Sequence, residues 1–182
     1  MHDIGRFLQP NDEANHARSG YLFLENYNEF TEIELIPILL HENDLNWLTE
    51  LEELKEYGNF DNSEKQKLIQ NIKRLKDCDI IENLETTIKR GNKNEFNLDD
   101  YVYNCLINNK ICSHLPLKGY LNDCLYIICG LYILNYEESL KYLKKKKVVS
   151  RFFKKAINKS KDLMTRDKLI RCREYLIEKD YI

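Results

Sequence analysis

The chain has 182 residues, of which 43% are hydrophobic and 32% are charged, and its formal net charge is −2. This length and apolar fraction predict a folded domain whose core needs no metal or disulfide, and they exclude an intrinsically disordered chain. The sequence contains only 6 glycines and 3 prolines, which argues against a turn-rich β-sandwich or β-barrel.

The N-terminal part of the chain gives the weakest helix signals. Residues 1–30 predict a short helix that ends at Gly20, together with an extended segment, because glycine suits the position after a helix. Thr31 and Glu34 have the spacing of a capping box, which predicts a helix start at this point. Pro37 lies inside that helix and is expected to bend or shorten it.

The clearest helix is expected between Asp44, which can cap its start, and Gly58, which can close it. At 100° per residue its apolar side chains fall on one stripe. That stripe contains Trp47, Leu48, Leu51 and Leu54. The opposite face contains Asn46, Glu50, Glu53 and Glu56. We therefore predict a helix that packs on the core and presents an acidic face, and this face is the candidate partner-binding site.

The remaining helix signals extend to the end of the chain. Starts are indicated at Ser63 (in a capping box with Gln66), at Asp79, at Asp99 or Asp100, and at Pro116, which leads into the most apolar helix. No stretch alternates apolar and polar residues between hairpin turns, so no sheet is expected. The prediction is an all-α single domain over residues 1–182 with about eight helices.

Two arrangements of these helices stay open. Predicted starts at 44, 79 and 116 and at 63, 99 and 136 recur every 35–37 residues. Such a recurrence favours a helical repeat, with helical hairpins stacked as in an α-solenoid. A closed helical bundle is the alternative.

A lysine-rich segment follows the apolar helix. The apolar stripe before Lys144 and the stripe after Lys147 point in directions about 150° apart, by the same 100° arithmetic. One straight helix cannot bury both stripes, so the run Lys144 to Lys147 is predicted to be a bend or connector. The second helix leaves a basic face exposed, and this face is an alternative binding site. It contains Lys147, Arg151, Lys154, Lys155 and Lys159.

No catalytic or cofactor motif is present. The chain lacks the glycine-rich phosphate-binding patterns, the serine nucleophile elbow and the paired histidines of zinc peptidases. The six cysteines include no Cys-x-x-Cys pair, which favours buried free thiols over a metal site or disulfide framework. His114 follows Cys112 closely, ahead of a proline, and a connecting loop is expected there instead of a nucleophile pair. We predict a protein that is not an enzyme and that has no metal or cofactor.

Charge is distributed unevenly along the sequence. Residues 1–100 contain 22 acidic and 11 basic side chains, whereas residues 101–182 contain 8 acidic and 17 basic side chains. An acidic helix face can cover a basic active site, and complementary charge speeds such an association. These features predict an immunity protein, a non-enzymatic inhibitor that binds and masks a basic toxin such as a nuclease. A protein partner is favoured over nucleic acid and over a membrane, and without a visible signal peptide the protein is expected in the cytoplasm.

Two other functions are kept as alternatives. The segments "DCLYIICGLYILNY" and "DLMTRDKLIRCREYLIEK" resemble the last helices of poxviral Bcl-2-like proteins, over about the final third of the chain. The resemblance implies a helical antagonist of a host response, although the Asn-Trp-Gly-Arg groove motif of that family is absent. The second alternative is a helical nucleic-acid-binding protein that uses the basic C-terminal face.

Overall fold

The computed structural model describes residues 4–8, 15–27, 29–41, 46–90 and 98–182. Every regular element in these residues is helical, which confirms the all-α prediction. There are eleven α-helices in the described ranges, more than the eight or so expected. They are α1 (Ile4–Leu8), α2 (His16–Glu25), α3 (Glu32–Leu40), α4 (Trp47–Glu53), α5 (Lys55–Asn59), α6 (Asn62–Arg90), α7 (Asp100–Ile107), α8 (Tyr120–Ile128), α9 (Glu137–Lys146), α10 (Val148–Lys159) and α11 (Leu163–Glu178). A 3-10 helix, Cys129–Ile133, follows α8.

Contacts between residues group the chain into two compact units, which we call unit 1 (Met1–Asp79) and unit 2 (Ile80–Ile182). The units differ in charge. Unit 1 contains 17 acidic and 8 basic side chains, a net charge of −9, and unit 2 contains 13 acidic and 20 basic side chains, a net charge of +7. The charge asymmetry seen along the sequence therefore follows the division into units.

Unit 1 is built on two apolar clusters. The larger cluster comes from α3, α4 and α6 and contains Ile36, Leu40, Trp47, Leu51, Leu68 and Ile72. The smaller cluster contains Leu24, Leu35 and Ile38. Within α2, Gly20 is buried and lies in the interior of the helix, so the helix predicted to end there continues to Glu25. The capping box at Thr31 is confirmed, because the Glu34 carboxylate accepts from Thr31 N at 2.9 Å and from Thr31 Oγ1 at 2.8 Å.

The acidic helix predicted up to Gly58 consists of two short helices. The backbone breaks at Leu54, whose ψ of 128° is extended, and α5 then begins at Lys55. Gly58 lies inside α5 instead of closing a helix, and Leu48 is 47% exposed although its spacing placed it on the buried stripe. The predicted cap at Asp44 lies outside the described residues.

Helix α6 is one continuous helix of 29 residues. The start predicted at Asp79 is wrong, because the helix continues through this residue to Arg90. The capping box also lies two residues earlier than predicted. Asp61 N donates to Glu64 Oε2 at 2.9 Å, and Glu64 N donates to Asp61 Oδ1 at 2.8 Å. The regular spacing of helix starts favoured a helical repeat, and it included a start at Asp79. Because no helix starts there, this spacing is interrupted.

Unit 2 has one apolar core, to which the end of α6 and helices α7 to α11 contribute. Its fully buried side chains include Leu84, Leu125, Ile128 and Phe153. The helix start at Asp99 is confirmed, since its side chain accepts from Tyr101 N at 2.9 Å. The apolar helix begins later than Pro116, at Tyr120, and gives way to the 3-10 helix after nine residues. Of the two segments that resemble poxviral Bcl-2-like proteins, 123–136 thus contains only the end of α8 and the 3-10 helix, whereas 162–179 contains the whole of α11.

The bend predicted within the lysine run is confirmed. Helix α9 ends at Lys146, Lys147 adopts the left-handed conformation with φ of 53°, and α10 begins at Val148. The apolar stripe of α10 then faces the core through Val149, Phe152 and Phe153, all of which are buried. The change in direction of the apolar stripe therefore marks a real junction between two helices.

Candidate functional site

The predicted acidic site is divided between two elements. Asn46, Glu50 and Glu53 are exposed at the start of α4 and along it, as expected from their spacing. Glu56 lies beyond the break at Leu54, on α5, and is only half exposed. The four residues therefore do not form the face of a single helix.

The structure instead places the Tyr21 hydroxyl beside the carboxylates of Glu25 and Glu32, and the charge of Glu56 also acts on this hydroxyl. The Tyr21 hydroxyl donates to Glu25 Oε1 at 3.3 Å and lies 3.4 Å from Glu32 Oε2. Burial raises the pKa of Tyr21 strongly, and the negative charges of Glu32, Glu25 and Glu56 raise it further. We call Tyr21, Glu25, Glu32 and Glu56 the Tyr21 cluster. Its carboxylates come from α2, α3 and α5, so no spacing within one helix could have predicted it.

The Tyr21 cluster concentrates negative charge at the surface of a unit whose net charge is already −9. A cluster of this kind favours Lys and Arg side chains of a partner, because opposite charges attract before and during association. Within the residues that the structure describes, no group of three or more His, Cys, Asp or Glu side chains is arranged to hold a metal ion.

The predicted basic face lies on α10 and at the junction before it, and all five of its side chains are exposed. Two of them, Arg151 and Lys155, line the cavity described in the next paragraph. Lys147 is the left-handed residue of the junction, and Lys154 and Lys159 do not line the cavity. The predicted basic face is therefore not one site, because two of its five residues line the cavity and the other three do not.

The cavity is a cleft of about 560 Å³ in unit 2, formed by α6, α8, α9 and α10. Its wall includes the apolar or aromatic residues Ile88, Tyr120, Val148 and Phe152. Its charged residues are Glu85, Lys89, Lys145, Lys146, Arg151 and Lys155. Five cations and one carboxylate give this cationic cleft a formal charge of +4.

The single carboxylate of the cationic cleft is already engaged. Glu85 Oε2 lies 2.8 Å from Lys89 Nζ, and Glu85 Oε1 accepts from the Tyr142 hydroxyl at 3.2 Å. The hydrogen bond from Lys89 holds the pKa of Glu85 below its ordinary value, and the charge of Lys146 contributes to the same shift. Glu85 therefore stays ionised, and its single negative charge offsets one of the five positive charges, which leaves the cleft with a formal charge of +4.

Cys112 and His114 do not form a nucleophile pair. Cys112 is buried, its Sγ lies 3.9 Å from Cys129 Sγ, and burial raises its pKa to about 12. The thiol is therefore protonated at neutral pH, and a thiol is a poor nucleophile. His114 lies on the surface with its ring stacked on Tyr101, 3.8 Å between centroids. The expectation of a connecting loop is confirmed at this position, since 109–119 contains no helix.

A buried polar group in unit 1 was not expected from the sequence. His16 and His41, far apart in the chain, lie with their rings edge to face at 5.2 Å, and both are at most 2% exposed. Lys76 is also buried and donates from Nζ to the carbonyl oxygen of His41 at 3.1 Å. This bond joins α6 to the end of α3, so these polar side chains have a structural role in unit 1.

Comparison of the chain with protein-family models, with curated proteins and with solved structures gives no match in any of the three. Among the described residues, no helix has both the length and the apolar composition needed to cross a membrane. The candidate functional sites of this protein are therefore its two charged surfaces, the Tyr21 cluster and the cationic cleft.

Proposed function

We propose that this protein is a non-enzymatic binding module of the immunity type, which neutralises a basic protein toxin, such as a nuclease, by masking it. The observation that supports this proposal best is the Tyr21 cluster, in which the carboxylates of Glu25 and Glu32 lie beside one hydroxyl and the charge of Glu56, on a third helix, adds to theirs. The exposed Glu50 and Glu53 on α4 add to the negative charge of unit 1.

The negative charge of unit 1 is expected to affect the rate of association with a partner more than the final affinity. Like charges placed close together repel one another, and a cationic partner relieves this repulsion when it binds. A unit with a net charge of −9 also attracts a basic protein from a distance, which raises the association rate and makes that rate fall with salt. An inhibitor that must reach a toxin quickly benefits from this property.

The proposal is tested by capturing a partner from a lysate of the source cell. The immobilised protein is incubated with lysate that has been treated with nuclease, and bound proteins are identified by mass spectrometry. We expect one stoichiometric basic protein. If that protein is a nuclease, adding the purified chain should stop its cleavage of a labelled RNA or DNA substrate.

Variants then identify which surface of the protein binds the partner. Two of them each remove two carboxylates from unit 1: Glu25→Gln with Glu56→Gln, and Glu50→Gln with Glu53→Gln. A matched control removes two exposed carboxylates from unit 2, Glu138→Gln with Glu174→Gln. We expect the unit 1 variants to lower the association rate about tenfold at low salt, since electrostatic steering alters association by tenfold or more. Equal losses in the control, or no protein partner after nuclease treatment, would refute the proposal.

A further inference from the structure

We propose that the cationic cleft of unit 2 binds ligands that contain two or more neighbouring phosphate groups, as found in a nucleic-acid strand or in a free nucleoside triphosphate. This inference does not depend on the proposed function, because the cleft and the Tyr21 cluster belong to different units. It also differs from the basic face predicted from the sequence, since the cleft includes Lys89, Lys145 and Lys146 and excludes Lys154 and Lys159.

The cationic cleft has a high density of positive charge, which favours a ligand with several negative charges. Five cations line a space of about 560 Å³, and its one carboxylate already pairs with Lys89. Cations held this close repel one another, so a ligand that neutralises several of them at once binds favourably. The volume lies within the range of about 300–1,000 Å³ that is usual for small-ligand sites.

The cations of the cleft differ in how far they already interact with other groups of the protein. Lys145 and Lys155 are exposed residues that line the cleft. Arg151 is fixed instead, because its Nη2 donates to the carbonyl oxygen of Lys146 at 2.7 Å. Lys146 lies over the Tyr142 ring at 5.5 Å. The cleft thus combines two exposed lysines with two cations that already have contacts within the protein.

Phosphate fits this arrangement better than carboxylate does. An acidic peptide supplies at most one charge per residue, and extended residues are about 3.3 Å apart along a chain. The adjacent phosphates of a nucleoside triphosphate place more negative charge in the same volume. A nucleic-acid strand has a charge spacing of about 3.4 Å, similar to that of the peptide, and there the preference depends on lysine and arginine as common ligands of phosphate. Specific base stacking is not part of the proposal, because Phe152 is only 2% exposed and a stacking platform needs an accessible ring.

The test measures binding of a short fluorescein-labelled oligothymidylate by fluorescence anisotropy over a series of salt concentrations. Unlabelled oligothymidylate, ATP and poly-glutamate are then added as competitors. Displacement by ATP as well as by the oligonucleotide would assign the cleft to phosphate ligands in general, and displacement by the oligonucleotide alone would assign it to nucleic-acid strands. Both results support the proposal, whereas equally effective displacement by poly-glutamate would overturn it.

Paired variants separate the cleft from the net charge of unit 2. Lys145→Gln with Lys155→Gln removes two cleft cations, and Lys154→Gln with Lys159→Gln removes two cations that do not line the cleft. We expect the first pair to weaken binding about tenfold and to reduce the slope of log K against log salt by about 1.4, at about 0.7 per lost phosphate contact on a single strand. The second pair should change affinity by no more than about twofold.

Circular dichroism of both variants checks that helicity is retained. Equal losses of affinity in the two pairs would overturn the assignment to the cleft, because they would show that only total charge matters. Absence of binding to the oligonucleotide and to ATP at low salt would overturn the proposal altogether.

Discussion

The guanidinium group of Arg151 closes the helix that precedes its own. Its Nη2 donates to the carbonyl oxygen of Lys146 at 2.7 Å, and its Nε donates to that of Lys147 at 3.2 Å. Carbonyl groups at the end of a helix have no N–H partner within the helix, so this side chain supplies one at the end of α9. The residue that fixes the α9–α10 junction is therefore also one of the cations of the cleft.

Replacing Arg151 with alanine should lower the free energy of unfolding by about 1 kcal/mol, since it removes hydrogen bonds to two carbonyl groups. Lys154→Ala is the matched control, because Lys154 lies exposed on the same helix and does not line the cleft. We expect the control to change stability by less than about 0.5 kcal/mol. Urea denaturation of both variants measures the difference, and equal effects would contradict the capping role.

Lys147→Gly should stabilise the protein, because Lys147 has φ of 53° and glycine adopts this conformation without the strain caused by a Cβ atom. The expected gain is below about 1 kcal/mol, because glycine also increases the entropy of the unfolded chain. The same substitution at Lys145, inside α9, should destabilise by up to about 1 kcal/mol. Opposite signs at two positions so close in sequence would confirm the left-handed junction, and equal signs would contradict it.

Phe153→Ala should cost about 3–5 kcal/mol of stability, because Phe153 is fully buried in the core of unit 2 and its removal leaves a cavity. Phe7→Ala provides the control, since Phe7 is 86% exposed. That variant should differ from the parent protein by less than about 0.5 kcal/mol. Thermal denaturation followed by circular dichroism checks both values.

Only one of the six cysteines should react with a thiol reagent in the native protein. Cys78 is exposed and the other five are buried. Burial raises the pKa of Cys112, Cys124 and Cys172 to about 12, so their reactive thiolate form is scarce at neutral pH. Titration with Ellman's reagent should count one thiol in buffer and six in denaturant. Cys78→Ser should abolish the native signal, and a remaining signal would contradict the burial of the other thiols.

Stability should depend on pH through Glu34. Hydrogen bonds from the backbone and side chain of Thr31 hold the pKa of Glu34 below its ordinary value of 4.5. Because the pKa is lower in the folded than in the unfolded state, the contribution of this carboxylate is complete above about pH 4.5 and is lost as the pH falls through the folded-state pKa. Glu34→Gln should therefore destabilise at neutral pH and have no effect in strong acid.

Urea midpoints measured across this pH range test the prediction for Glu34. Glu52→Gln on α4 is the control, since Glu52 is exposed and makes no capping box. A difference between the Glu34 variant and the parent protein that persists unchanged into strong acid would show that the carboxylate charge is not responsible.

Local patterns predicted those features of the fold that depend on neighbouring residues. The junction at Lys147 follows from two apolar stripes that one helix cannot bury together, and the capping box of Thr31 follows from a spacing of three residues. The start predicted at Asp79 was wrong because it rested on a local preference alone. Aspartate favours helix starts, but burial of Ile80 and Leu84 on the same helix outweighs that preference.

The candidate sites could not be predicted from the sequence to the same degree. The Tyr21 cluster combines Glu25, Glu32 and Glu56 from three helices, and the cationic cleft combines side chains between Glu85 and Lys155 from four. Periodicity reports only which residues share a face of one helix. The break at Leu54 places Glu56 on α5, off the predicted face, and the effect of its charge on Tyr21 depends on tertiary packing that periodicity does not report.

The continuity of α6 determines how the protein can be divided. The boundary between the two units lies between Asp79 and Ile80, inside this helix. A truncated chain that stopped at Asp79 would leave the last four carbonyl groups of its shortened helix without backbone partners, and a chain that began at Ile80 would leave the first four N–H groups equally exposed. A fragment meant to represent either unit should therefore retain the whole of Asn62–Arg90, including the Asp61 cap and the residues of the other unit that complete the helix.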